Sequence, residues 1–283
     1  MIHHETTENI AHDLSQGAPV LFHLGPIPIS NSMLVSWIIT LVIILMVRSA
    51  TGKIALVPHG MQNFFEFIIE SLYETLEGIM GSHLIRKTFW FFASVFLFIL
   101  FSNWLSLVPL IGNLTVIPAT SIGAESSPHR VGLFRAVNSD LNMPLAMATL
   151  YGILWLYWSI REVGPLGMLQ HIFGVKGGLT GILKWSLFPL FFAVGLIEII
   201  SILFRQISLP LRLYGNIFAG ENLLEVMTHL GLSFQGVMKV LGILLPLPFY
   251  FLEILVAFVQ ALVFMLLTSV FTSMMCQHEE EIH

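Results

Sequence analysis

Apolar runs long enough to cross a lipid bilayer recur from one end of this 283-residue chain to the other, and they exclude most folds otherwise open to it. SMLVSWIITLVIILMV occupies positions 32–47, TFWFFASVFLFILFSNWLSLVPL 88–110 and NMPLAMATLYGILWLYWSI 142–160. Two longer stretches run from Trp185 to Leu230 and from Lys239 to Met275. A span needs about 20 apolar residues. Hydrocarbon offers the backbone no hydrogen bonds, so each run must satisfy its own N–H and C=O groups, which a helix does. The runs therefore predict an all-α polytopic membrane protein with about five membrane-embedded helices. The last two exceed one upright span, which predicts two long helices, tilted and paired as a hairpin.

Composition narrows the function classes. Hydrophobic residues make up 56% and charged residues 10%, against about 25% charged in a soluble domain. The expected organisation is a polar N-terminal tail over 1–30, a single membrane domain over 31–276 and a polar C-terminal tail over 277–283. A net charge of −5 carries no electrostatic footprint for nucleic acid. The one cysteine, Cys276, excludes an intrachain disulfide. HHETTENIAH in the first tail lacks the basic start of a secretory leader, and its scattered His and Glu are read as solvated, with no metal site.

One segment differs in kind. In PHGMQNFFEFIIESLYETLEGIMG, Glu66, Glu70, Glu74 and Glu77 recur at helical spacing, while Phe65, Ile68, Ile69, Leu72, Leu76 and Ile79 fill the other side. This predicts an amphipathic surface helix between Pro58 and Gly78 or Gly81, its apolar face in the membrane interface. Arg48, Lys53, Arg86, Lys87, Arg161, Lys176 and Lys184 fall on one side of the spans, and Arg130, Arg135 and Lys239 on the other. The bias places the N-terminus outside and the C-terminus in the cytoplasm.

Ionisable residues concentrate in the last two runs. An arginine at a span centre costs about 2.5–3.5 kcal/mol on insertion scales, so Arg212 needs a partner or a role. Glu198, Arg205 and Arg212 are seven apart and share a helical face, with Pro210 the one residue placed to bend the projection. Glu221 points to the opposite side. Small residues Ser201, Ser208, Gly215 and Ala219 accompany Arg212 and permit close approach of another helix. Glu253 and Gln260, also seven apart, share a face of the final run. Together they suggest a path for a small cation, with Arg212 facing one neighbour and Glu221 turned toward a path shared with Glu253 and Gln260.

From LRLYGNIFAGE outward the sequence resembles subunit a of the rotary F-type ATP synthase membrane sector. Glu198 lies where that family carries an acid, fourteen residues before its arginine; VQALVFMLLTSVF supplies Gln260; and DLNMPLAMA, with Asp140 and Asn142, matches the family's entry to its fourth helix. The resemblance covers about residues 30 to 276. It implies a stator subunit beside a ring of c subunits and a b-type peripheral stalk in a bacterial inner membrane, with no catalysis and no cofactor of its own. Arg212 would stand between two half-channels, attract the ring carboxylate and block leakage. Asn216, Glu221, Glu253 and Gln260 would line the outer half-channel and Glu198 the cytoplasmic one, with Arg205, Asp140 and Asn142 secondary. Some members carry His where this chain has Glu221 or Glu253, which leaves proton against sodium open.

Two other classes fit the composition. A haem-bearing respiratory subunit needs paired axial histidines within spans, whereas the eleven His lie in tails, loops and segment ends. A secondary ion transporter is the other, although no inverted repeat is evident. A phosphate-binding G-x-x-x-x-G-K-[ST] loop is absent from the sequence.

Overall fold

The computed structural model describes residues 20–276 apart from 53, 56, 59, 109–114, 117–130, 133–135, 175–181, 235–241 and 243. The HHETTENIAH stretch, the C-terminal tail, and Lys53, Arg130, Arg135, Lys176 and Lys239 lie outside the described residues. The elements are β1 (Val20–Leu24), β2 (Ile27–Ser30), α1 (Asn31–Thr51), α2 (Met61–Ser106), β3 (Thr115–Val116), β4 (Val131–Gly132), α3 (Asn142–Phe173), α4 (Ile182–Leu232) and α5 (Leu247–Cys276). All five helices are long and apolar enough to span a membrane.

Residues 20–30, read as the end of a polar tail, form an antiparallel hairpin in which Gly25, at φ 67°, makes the turn. Leu21 and Ile29 are buried. Ser30 ends the hairpin and caps α1, its hydroxyl accepting from the Met33 N–H at 3.4 Å. Hydroxyls within the spans return to their own helices: Thr40 Oγ1 donates to the Ser36 carbonyl at 2.8 Å, Ser94 Oγ to Trp90 at 2.6 Å and Thr149 Oγ1 to Leu145 at 2.8 Å.

Glycines, not prolines, break the long helices. Gly81 (φ 75°) divides α2 and Gly164 (φ 80°) divides α3, both in a region closed to most L-residues. Pro165 then starts the second arm of α3, where its missing N–H costs no helical bond. α4 runs helically through Pro189 and Pro210, so the seven-residue spacing of Glu198, Arg205 and Arg212 keeps its meaning.

The chain forms two compact units built from different parts of the same helices. The first comprises 1–57, 96–143 and 213–261. Val35 and Ile39 of α1 pack on Val137, with Phe98, Phe101, Leu105 and Met143 around them. The second comprises 58–95, 144–212 and 262–283. There Phe91 lies against Tyr151 and Trp158, while the Tyr151 hydroxyl donates to the Thr268 carbonyl of α5 at 3.0 Å. The first arm of α2 belongs to this unit. Its acids Glu66, Glu70 and Glu74 are exposed, while Phe65, Leu72, Leu76 and Met80 are buried within the chain and Phe67 stays exposed. Ser273 Oγ of α5 donates to the Ile79 carbonyl at 2.8 Å, and Tyr73 meets Phe89 edge-on across the Gly81 break. The break at Gly81 thus folds part of the apolar stripe onto protein.

Candidate functional site

α4 and α5 pair antiparallel in the first unit. As α4 advances from Asn216 to Gly220, its contacts on α5 retreat from Gln260 to Glu253. Leu213, Ile217, Gly220 and Leu224 form the buried stripe of α4 here, at the three- and four-residue spacing that keeps side chains on one face. Gly220 is the closest point. A Cβ there would overlap the Glu253 carboxylate. Glu253 and Gln260 are each 5% exposed, so the shared face predicted from their spacing is turned inward.

Asn216 Nδ2 donates to Gln260 Oε1 at 2.8 Å. Glu221 is half-buried and its charge is felt by Glu253. The structure therefore draws Gln260 toward Asn216, one turn beyond Arg212, and leaves Glu221 and Glu253 as the acidic pair. The two addresses inferred from spacing are joined through Asn216: four residues rotate a helix by about 400°, so Asn216 shares the Arg212 side of α4.

Arg212 itself is exposed, as are Ser208 and Ala219 beside it, and a Cβ built at Gly215 would meet nothing within 4 Å. This side of α4 is bare. Leu203, Phe204, Ile207 and Leu211 around it are likewise exposed.

In the second unit Arg205 and Glu198 of α4 each face a neighbouring helix. The Arg205 guanidinium lies 4.2 Å from the centroid of Phe271 on α5, where the ring face offsets part of its desolvation. Glu198 Oε1 lies 3.9 Å from Nδ1 of His171, in the last turn of α3.

Asp140 and Asn142 occupy the start of α3 in the first unit. Asp140 is 4% exposed and fully used: Oδ2 accepts from Ser32 Oγ at 2.7 Å, and Oδ1 accepts from the Asn142 N–H at 3.2 Å and its Nδ2 at 3.0 Å. Nearby, Asn138 Nδ2 donates to Asn103 Oδ1 at 2.6 Å, both amides buried. Asn103, Ser32, Gly220 and His171 were not singled out from sequence. Asn103 and Ser32 carried a usable signal, being polar within or beside apolar runs. Gly220 and His171 matter only through partners distant in sequence.

The family described as ATP synthase A chain matches residues 33–273. A protein named ATP synthase subunit a from Moorella thermoacetica is 31% identical over 248 residues, covering 88% of this chain and 91% of its own. Proteins of the same name from Gloeobacter violaceus and Protochlamydia amoebophila are 28% identical over 268 residues (94% and 92% covered) and 29% identical over 286 residues (98% and 94% covered). With its five spans and its LRLYGN arginine on the bare side of α4, the chain belongs to the ATP synthase A chain family.

Proposed function

We propose that this chain is the ion-carrying stator subunit of an F-type ATP synthase membrane sector, passing protons or sodium ions through two offset half-channels to and from the carboxylates of a rotating c ring. A b-type peripheral stalk holds it still. It catalyses no reaction itself, and the ATP chemistry belongs to other subunits. The distribution of Arg48, Arg86, Lys87 and Arg161 supports an N-terminus outside and a C-terminus in the cytoplasm of a bacterial inner membrane.

The observation that carries the reading is Arg212. Among the described residues no carboxylate lies within ion-pair distance of it, and it stands on the unburied side of an apolar helix. A charge so placed needs a counter-charge from another chain. A deprotonated ring carboxylate supplies one, and the small residues Ser208, Gly215 and Ala219 let the ring helix approach. A guanidinium remains charged throughout, so it attracts the carboxylate without handing on a proton. In this reading Asn216, Gln260, Glu221 and Glu253 conduct the ion from outside, and Glu198 conducts it to the cytoplasm. Arg205 sits one heptad from Arg212 as a secondary positive charge, and Asp140 and Asn142 support the entry to α3.

Arg212→Ala is expected to leave the complex assembled and abolish ATP synthesis driven by an ion gradient in inverted vesicles. Undiminished synthesis in that variant would overturn the assignment.

A further inference from the structure

Gly195 lets α4 meet the last turn of α3 at backbone distance. A Cβ at 195 would stand 2.7 Å from the Ile172 carbonyl oxygen and 2.6 Å from the Phe173 ring. One turn earlier Phe192 stacks on Phe173, with centroids 5.4 Å apart and ring planes at 25°. One turn later Glu198 reaches His171. Positions 192, 195 and 198 thus form one stripe of α4 applied to residues 171–173, and the stacked rings and bare glycine hold the two titratable side chains opposite each other.

The polar pair is built but not closed. Nδ1 of His171 is buried with no hydrogen-bond partner, and its 3.9 Å separation from Glu198 Oε1 exceeds a hydrogen bond. A small rotation of either side chain, or one bridging water, completes the link. Both side chains are 30% exposed, so the pair opens to the surface of the chain. Other charged groups on the packed elements are occupied elsewhere: Arg161 with the Tyr157 hydroxyl, Glu162 with Lys87 and His83, and Arg205 with Phe271. The side chain of Lys184 and residue Lys176 lie outside the described residues.

We propose that His171 and Glu198 form a two-group proton relay in which His171 is the member that exchanges protons with the cytoplasm, and that the carried ion is therefore a proton. The inference rests on the half-channel reading of Glu198. In the releasing direction the Glu198 carboxyl transfers its proton to Nδ1, leaving a carboxylate beside an imidazolium; the imidazolium then gives a proton to water and returns to neutral imidazole. Uptake runs the same steps in reverse. Imidazole suits the exposed step because its two ring nitrogens let it take up one proton and release another.

The test uses inverted vesicles carrying the whole complex, with ATP-driven proton pumping measured before, and passive proton conduction after, removal of the catalytic head. His171→Ala is expected to slow conduction several-fold with assembly retained, and added imidazole is expected to restore it. His171→Lys keeps a cation beside Glu198 but lacks the two-nitrogen ring that takes up and releases a proton, so it should remain slow. Wild-type rates in His171→Ala, full function in His171→Lys, or conduction that requires sodium would overturn the relay. If Glu198→Gln slows conduction while His171 variants do not, the relay alone falls. If the wild-type sector does not conduct, the half-channel reading falls with it.

Discussion

Gly220 and Glu253 stand in register across the α4–α5 pair, with the Glu253 carboxylate occupying the space that a side chain at 220 would fill. A buried acid is thereby pressed against helix backbone, two side chains away from the Asn216–Gln260 hydrogen bond in a shared antiparallel seam. The seam gathers polar groups that the apolar stretches around them keep dispersed along the sequence.

Gly220→Ala is expected to displace the Glu253 carboxylate from the seam and lower ATP-driven pumping at least several-fold, because the added methyl takes the space that carboxylate occupies. Gly215→Ala meets open space within the chain, so it should leave the folded subunit's stability unchanged. Thermal unfolding of both purified variants, set beside pumping in vesicles, checks the contrast. Equal loss of stability in the two would contradict the register described here.

Asn216 and Gln260 should be energetically coupled. A double-mutant cycle of Asn216→Leu and Gln260→Leu isolates the interaction, and interhelical hydrogen bonds in membranes average about 0.6 kcal/mol by this method. Denaturation in mixed micelles gives the four stabilities. Additive effects would mean that the 2.8 Å bond does not form in the membrane.

Asp140→Ala is expected to destabilise the first unit by about 1–3 kcal/mol, since it removes the acceptor of the buried Ser32 hydroxyl and of the Asn142 N–H at the start of α3 together. Ser32→Ala removes only one donor and should cost less. Subunit abundance in membranes and the unfolding midpoint report both. A milder effect from Asp140→Ala than from Ser32→Ala would refute the capping role.

Much of the fold was legible because a membrane allows few solutions. Length and continuous hydrophobicity marked the spans, since unpaired backbone in hydrocarbon leaves helices as the available form. Arg212, Glu221 and Glu253 were legible for the same reason: a charge in an apolar run is costly wherever its neighbours lie. The hairpin over residues 20–30 was not, because its two short strands carry too few alternating positions to stand out beside the spans. The two faces of the first α2 arm were legible as a pattern, whereas the burial of part of the apolar one within the chain was not. Periodicity defines a stripe and leaves open whether lipid or protein covers it, and here the turn at Gly81 and the Ser273–Ile79 bond decided.

The sequence by itself determined that the chain spans a membrane as helices and that Arg212 lies on a helical side with small neighbours, because helix geometry relates residues a few positions apart. Only the tertiary structure decided that Gln260 meets Asn216, that Glu253 lies on Gly220 and that Glu198 faces His171. These partners are 27 to 44 residues apart in sequence, beyond any local period, and their register follows from where bare glycine backbone lets two helices approach.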